Sequence, residues 1–169
     1  MPTSTRTATK PGLSKKAVQL IAPNAVELLK SDHKEVKALF RAYEKLVKSA
    51  AGNEEKQTLA EQICTMVTVH AIVEEEIFYS AVRSAVAERD LLDEAEVEHA
   101  SAKDLITQIQ SMTPSDNFYD AKVKVLGEYI DHHVKEEEGE MLPRVQKTKL
   151  DLEALGFLMN ARREELLEV

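Results

Sequence analysis

Four stretches of this chain each carry a histidine in the middle of an otherwise apolar helical stripe, and nothing else in the sequence constrains the fold as tightly. Apolar residues three and four apart share one face of an α-helix. The first stretch, about Ala25 to Ser49, has the stripe Val26, Leu29, His33, Val36, Phe40, Tyr43 and Val47, with Asn24 placed to cap it. The second, about Glu54 to Glu88, has Leu59, Ile63, Met66, His70, Val73, Ile77 and Ala81. The third, about Leu91 to Ser111, has Leu92, Ala95, His99, Ala102, Ile106 and Ile109. The fourth, about Phe118 to Gln146, has Leu126, Tyr129 and Ile130, His133, Glu137 and Met141 on one side. Ala51-Gly52-Asn53 and Pro114-Ser115-Asp116 interrupt the periodicity between them. Pro143 lies near the end of the fourth and is expected to kink it.

Four such helices on short loops predict an all-α, up-down-up-down antiparallel four-helix bundle. A further amphipathic segment follows, with Leu152, Leu155, Leu158, Met159 and Leu166 expected to pack on the outside. The predicted domain is therefore 24–169, with its extra C-terminal helix at 151–168. Residues 1–23 read as a flexible basic arm. Arg6, Lys10, Lys15 and Lys16 give it four positive charges in a chain whose net charge is −8. That acidic balance argues against nucleic-acid binding. No apolar run is long enough for a membrane span. The first residues have no apolar core of a secretory signal, and the single cysteine, Cys64, forbids an internal disulfide. Both point to the cytoplasm.

The two halves repeat. DHKEVKALF (32–40) resembles EHASAKDLI (98–106), and HAIVEEEIFYS (70–80) resembles HHVKEEEGEMLP (132–143) when His70 is set on His133. In both halves the second histidine is followed one turn on by a glutamate, as His70-x3-Glu74 and His133-x3-Glu137. The i, i+4 spacing places each pair on one face, so four imidazoles and two carboxylates point into the bundle. A buried ionised carboxylate costs at least several kcal/mol unless something compensates it. Divalent cations do so, with carboxylates bridging and neutral imidazoles terminal. The mixed donor set suits iron, manganese or zinc, and a thiolate-poor chain is unlike a structural zinc module. His33, His70, Glu74, His99, His133 and Glu137 are the candidate ligands. A lone core histidine is more often a hydrogen-bonded packing residue; agreement across four helices is what favours metal. His132 is one residue, about 100°, off the inward face and is expected at the surface. Glu75, Glu76, Glu136 and Glu138 are expected to form a solvated acidic face, from which one side chain could reach the metal's surroundings. Cys64 is expected to be a buried, inert thiol. Tyr129 is expected to be a packed core tyrosine.

The order His … His-x3-Glu … His … His-x3-Glu, carried by LLKSDHKEVKALF, HAIVEEEIFY, VEHASAKDLI and DHHVKEEEGEMLP, resembles the hemerythrin-like (HHE cation-binding) family. The resemblance covers about residues 24–146. It implies a non-haem di-iron centre in the bundle, with the same six residues on the family's ligand positions. It also implies a role in handling O2, iron, or peroxide or nitrosative stress. The chain departs from the oxygen-carrying hemerythrins at two places. Lys103 stands where they have a second histidine one turn after the third-helix ligand, and His133-x3-Glu137 replaces their His-x4-Asp. Richer carboxylate donation favours hard, oxidised metal states and reduces the case for reversible O2 carriage. Two functions follow as expectations. One is a di-iron protein that binds O2 or a related small molecule; the other is a di-iron enzyme with peroxidase, catalase-like or ferroxidase activity. A ferritin-like carboxylate site would need Glu-x-x-His pairs on two helices, and only Glu96-x-x-His99 offers one.

Overall fold

The computed structural model describes residues 23–87 and 89–168, so the expected arm lies outside the described residues except for Pro23. Asn24 caps the first helix, α1 (Ala25–Lys48): its side chain accepts from the Glu27 N–H at 3.0 Å, and Glu27 accepts back from the Asn24 N–H at 3.3 Å. The second rod is continuous but changes pitch: α2 (Asn53–Val73), a π-helical turn π1 (Glu74–Phe78), then α3 (Tyr79–Ala85). The third is α4 (Asp90–Gln110). The fourth repeats the second as α5 (Tyr119–Glu136), a π-helical turn π2 (Glu137–Met141) and α6 (Leu142–Val145). No strand occurs among the described residues.

The rods pack in antiparallel up-down-up-down order, α1 against α2 and α5, and α4 against α5 and α2. A fifth helix, α7 (Leu152–Leu167), is capped by Asp151 and lies across α1 and α2. Leu155 and Met159 anchor it in the core. Its close approach depends on Gly156, where a Cβ would stand 2.3 Å from the Pro23 carbonyl oxygen. Leu158, expected to pack, is 55% exposed instead, because α7 turns a single narrow face inward.

Two apolar clusters divide the interior. One, around Leu29, Phe78, Val82, Leu92, Leu142 and Met159, fills the end under α7. The other, around Tyr43, Ile63, Val67, Ile106, Val123 and Leu126, fills the opposite end. The histidines and glutamates lie between them. One expectation about the fourth rod needs correcting: Tyr129 is 47% exposed, since Ile130 takes the inward position beside it. The change of pitch in this rod falls in π2, just upstream of Pro143, and the rod continues through Pro143 as α6. No helix among the described residues is long and apolar enough to cross a membrane.

Candidate metal centre

Each π-helical turn begins at the glutamate of a His-x3-Glu pair. The Tyr79 N–H bonds back to the Glu74 carbonyl, and the Leu142 N–H to that of Glu137. These i→i+5 bonds widen the helix by one residue where the carboxylates must point inward. The two acids are sealed from water, Glu74 at 0% and Glu137 at 1% exposure. Against them stand the four imidazoles. His70 Nε2 is 3.1 Å and His99 Nε2 3.2 Å from the same oxygen, Glu74 Oε2. His33 Nε2 is 3.1 Å from Glu137 Oε2, and His133 Nε2 4.0 Å from it. Donor atoms of His33, His70, Glu74 and Glu137 all lie within 4.8 Å of one another, as do those of Glu74, His99 and His133. Glu74 belongs to both groups. The structure thus brings together all six residues expected from the sequence.

The fit to cations is visible in what these atoms lack. His33 Nε2, His70 Nε2, Glu74 Oε1 and Glu137 Oε2 are buried without a hydrogen-bond partner among the described residues. His33 Nε2 and Glu137 Oε2 are close but not aligned as donor and acceptor. Two ligands each about 2.1 Å from a shared ion and about 90° apart would stand about 3 Å from one another, close to the separations seen. Buried polar atoms are almost always satisfied, so four orphans converging on one spot call for cations.

Behind the imidazoles is a ring of carboxylates, one for each Nδ1. His33 Nδ1 lies 2.8 Å from Glu138, His99 Nδ1 2.9 Å from Glu75, His133 Nδ1 2.8 Å from Glu98, and His70 Nδ1 3.5 Å from Asp32. Such contacts fix Nδ1 as the donor and turn the Nε2 lone pair inward. Two of the outer carboxylates are themselves held by cations. Lys103 Nζ holds both oxygens of Glu75 at 2.6 and 2.7 Å, and Arg163 of α7 meets Asp32 at 2.7 Å. Glu75 and Glu138 therefore leave the expected solvated face. Glu76 stays on it, paired with Arg162 of α7, and Glu136 faces His132. Glu96 pairs with Arg83 away from the site, which removes the ferritin-like pattern. His132 is exposed, as its register predicts.

The charges interlock. Burial alone would lower the His70 imidazole, but Glu74 and Asp32 reverse the shift and push it up to about 10. Burial alone would raise Glu74, yet the His70 charge holds it well below the usual carboxylate range. Burial and the charge of Glu74 push Glu137 up. Burial and the two carboxylates also raise the Tyr79 phenol far above its ordinary value. Its hydroxyl is 3.4 Å from Glu74 Oε2 and 3.5 Å from Glu137 Oε1, with one proton to give to either.

The sequence matches the hemerythrin HHE cation binding domain over residues 24–145. The chain belongs to that family. Among solved structures, this hemerythrin-like fold superposes on an HHE cation binding domain-containing protein from Mycobacterium kansasii with a TM-score of 0.70. The two are 28% identical over 85% of this chain and 87% of that one. An uncharacterized Mycobacterium tuberculosis protein, Rv2633c, is 26% identical over 85% of this chain and 87% of its own length. A Nostoc sp. protein named DNA nickase is 29% identical over 73% of this chain, which spans only 34% of that longer relative.

Three residues of this hemerythrin-like site escaped the sequence reading: Asp32, Glu98 and Tyr79. Asp32 and Glu98 each directly precede a stripe histidine, at equivalent places in the internal repeat, and that equivalence was the available signal. Tyr79 had none, since its repeat partner is Leu142.

Proposed function

We propose that this domain holds a dinuclear non-haem metal centre, with iron as its working metal, that binds or senses O2 or a related small oxidant. His33, His70, Glu74, His99, His133 and Glu137 would hold the ions, and Glu74, which belongs to both donor groups, would serve both. Manganese and zinc suit the same donors; oxidant chemistry at the centre needs a redox-active metal, which sets zinc aside and leaves manganese as the alternative to iron. The observation that carries this reading is the convergence of orphaned Nε2 and carboxylate atoms, each imidazole braced from behind by an acid. A small cavity supports the choice of ligand. It has a volume of about 20 Å³ and lies beside His33, His70, His99 and His133, walled by Val36, Val67 and Ile130. A space of that size admits a molecule of roughly water's dimensions and no organic substrate.

An enzymatic reading, with peroxide turned over at the same centre, is favoured by Tyr79, whose hydroxyl donates toward both Glu74 and Glu137 within the centre. The two readings separate by experiment. Elemental analysis of freshly purified protein is expected to give two metal ions per chain, iron foremost, and Glu74→Gln to give no more than one. Two ions retained by Glu74→Gln would refute the shared role. Anaerobically reduced protein exposed to O2 should develop a visible band that bleaches when O2 is removed. Rapid O2 evolution from added peroxide, without such a reversible band, would favour the enzyme.

A further inference from the structure

The internal repeat places Asp32 and Glu98 at equivalent positions, yet their surroundings differ. Each lends one oxygen to the Nδ1 of a centre histidine. Asp32 gives its other oxygen to the guanidinium of Arg163, a fixed protein cation, at 2.7 Å. Glu98 has no such partner; no lysine or arginine among the described residues pairs with it or with its neighbour Glu136. Instead Glu98 Oε1 lies 3.4 Å from His132 Nε2, which lies 3.3 Å from Glu136 Oε1. Donor atoms of all three are within 4.8 Å of one another. His132 and Glu136 are one turn apart on α5, and Glu98 reaches them from α4. Two carboxylates and an imidazole thus stand together at the surface, with no lysine or arginine among the described residues paired to them.

A narrow cleft connects this trio to the interior. Its volume is about 10 Å³, and Glu98, Glu136, His133, Glu137 and Met141 line it. Glu137, 1% exposed and a member of the buried centre, is the most deeply buried of these lining acids. The space is roughly that of a single water. A hydrated ion would not pass, so carboxylates must take over from its water shell. Glu98 is placed for that: one oxygen faces the surface trio and the other faces His133.

We propose that Glu98, His132 and Glu136 form an outward-facing divalent-cation site that passes ions down this cleft to the buried centre. The route rests on the reading of that centre as a metal site; the outer site stands on its own donors. Glu98 replaces hydration water as the ion leaves the surface, and Glu137 receives it. The outer site binds weakly, having three donors and open water positions, so it fills and empties while the inner pair persists.

The test uses the full chain with its inner ions in place, dialysed against micromolar Zn2+ and analysed for metal. Wild type is expected to hold one zinc beyond the inner pair, and the His132→Ala/Glu136→Gln double variant none. Glu98 is left unchanged because it also braces His133. Uptake of Fe2+ by chelated protein, followed by stopped flow, should be several-fold slower in the variant, with the same final iron content. Glu136→Gln alone serves if the double variant does not fold. Equal zinc counts would overturn the outer site, and equal loading rates would overturn the route. A wild type that takes up no inner ions would instead overturn the reading of the centre, and the route with it.

Discussion

His132 and His133 are adjacent in sequence and have opposite fates, and the difference is one step of helical rotation. His133 is 4% exposed, braced by Glu98, with its Nε2 turned to the carboxylates. His132 points outward. On the proposed dinuclear reading, His133→Ala should cost at least one of the two ions. His132→Ala should keep both at equilibrium. Metal analysis after extensive dialysis checks this, and the reverse result would overturn the assignment of helical face. The periodicity made this distinction legible, because a stripe with an interrupting histidine names its own inward position. The outer carboxylates were less legible. Asp32 and Glu98 lie one residue before the stripe and read as ordinary helix-surface acids. They reach Nδ1 atoms of histidines on neighbouring helices, His70 and His133, so the relation exists only after the bundle forms. Tyr79 was hidden for a related reason. It lies five residues beyond Glu74, off the i, i+4 face in a regular α-helix, and π1 brings it back over the carboxylates.

The elements themselves follow closely from sequence pattern, since stripe, cap and breaker agree along each rod. The exceptions are where tertiary demands override local rules. Neither π1 nor π2 has a common sequence cause: π2 precedes Pro143, but π1 has Ser80 at the equivalent place, with its hydroxyl bonded to the Glu75 carbonyl at 3.2 Å. What the two turns share is the inward glutamate that opens each. Helix α7 shows the other kind of constraint. Its pattern announced an amphipathic helix but not how near it would lie, which depends on Gly156 against the backbone of Pro23 and Asn24. A Cβ there meets backbone atoms at 2.3 to 2.8 Å, with no flexible side chain to yield. Gly156→Ala should therefore destabilise the fold by about 1–3 kcal/mol despite the better helix propensity of alanine. Denaturant unfolding measures this directly. A variant as stable as wild type would mean that α7 can dock farther out.

The molecule as a whole balances a buried layer of imidazoles and carboxylates between two apolar clusters, and it has two ways to neutralise its acids. One is cations; the other is protons. With the metal removed, His70 keeps its proton up to about 10, against an ordinary value of 6.5. A histidine with a raised folded value adds stability that is complete below pH 6.5 and fades as pH climbs toward 10. The chelated bundle should therefore lose stability across that window. The metal-loaded bundle follows the opposite rule, because an ion must displace the proton from His70 before it binds. Its affinity rises with pH, by about 1.4 kcal/mol per pH unit for each proton displaced. Since ligand binding to the native state adds directly to stability, the two curves diverge. The melting temperature of loaded protein should exceed that of chelated protein at pH 6.5, and the gap should widen on going to pH 9. Calorimetry at several pH values, with metal content verified in each sample, measures the gap. Proton release on metal addition in weakly buffered solution measures the same exchange from the other side. A gap that stays constant with pH, or no release of protons, would mean that cations and protons do not compete for this layer.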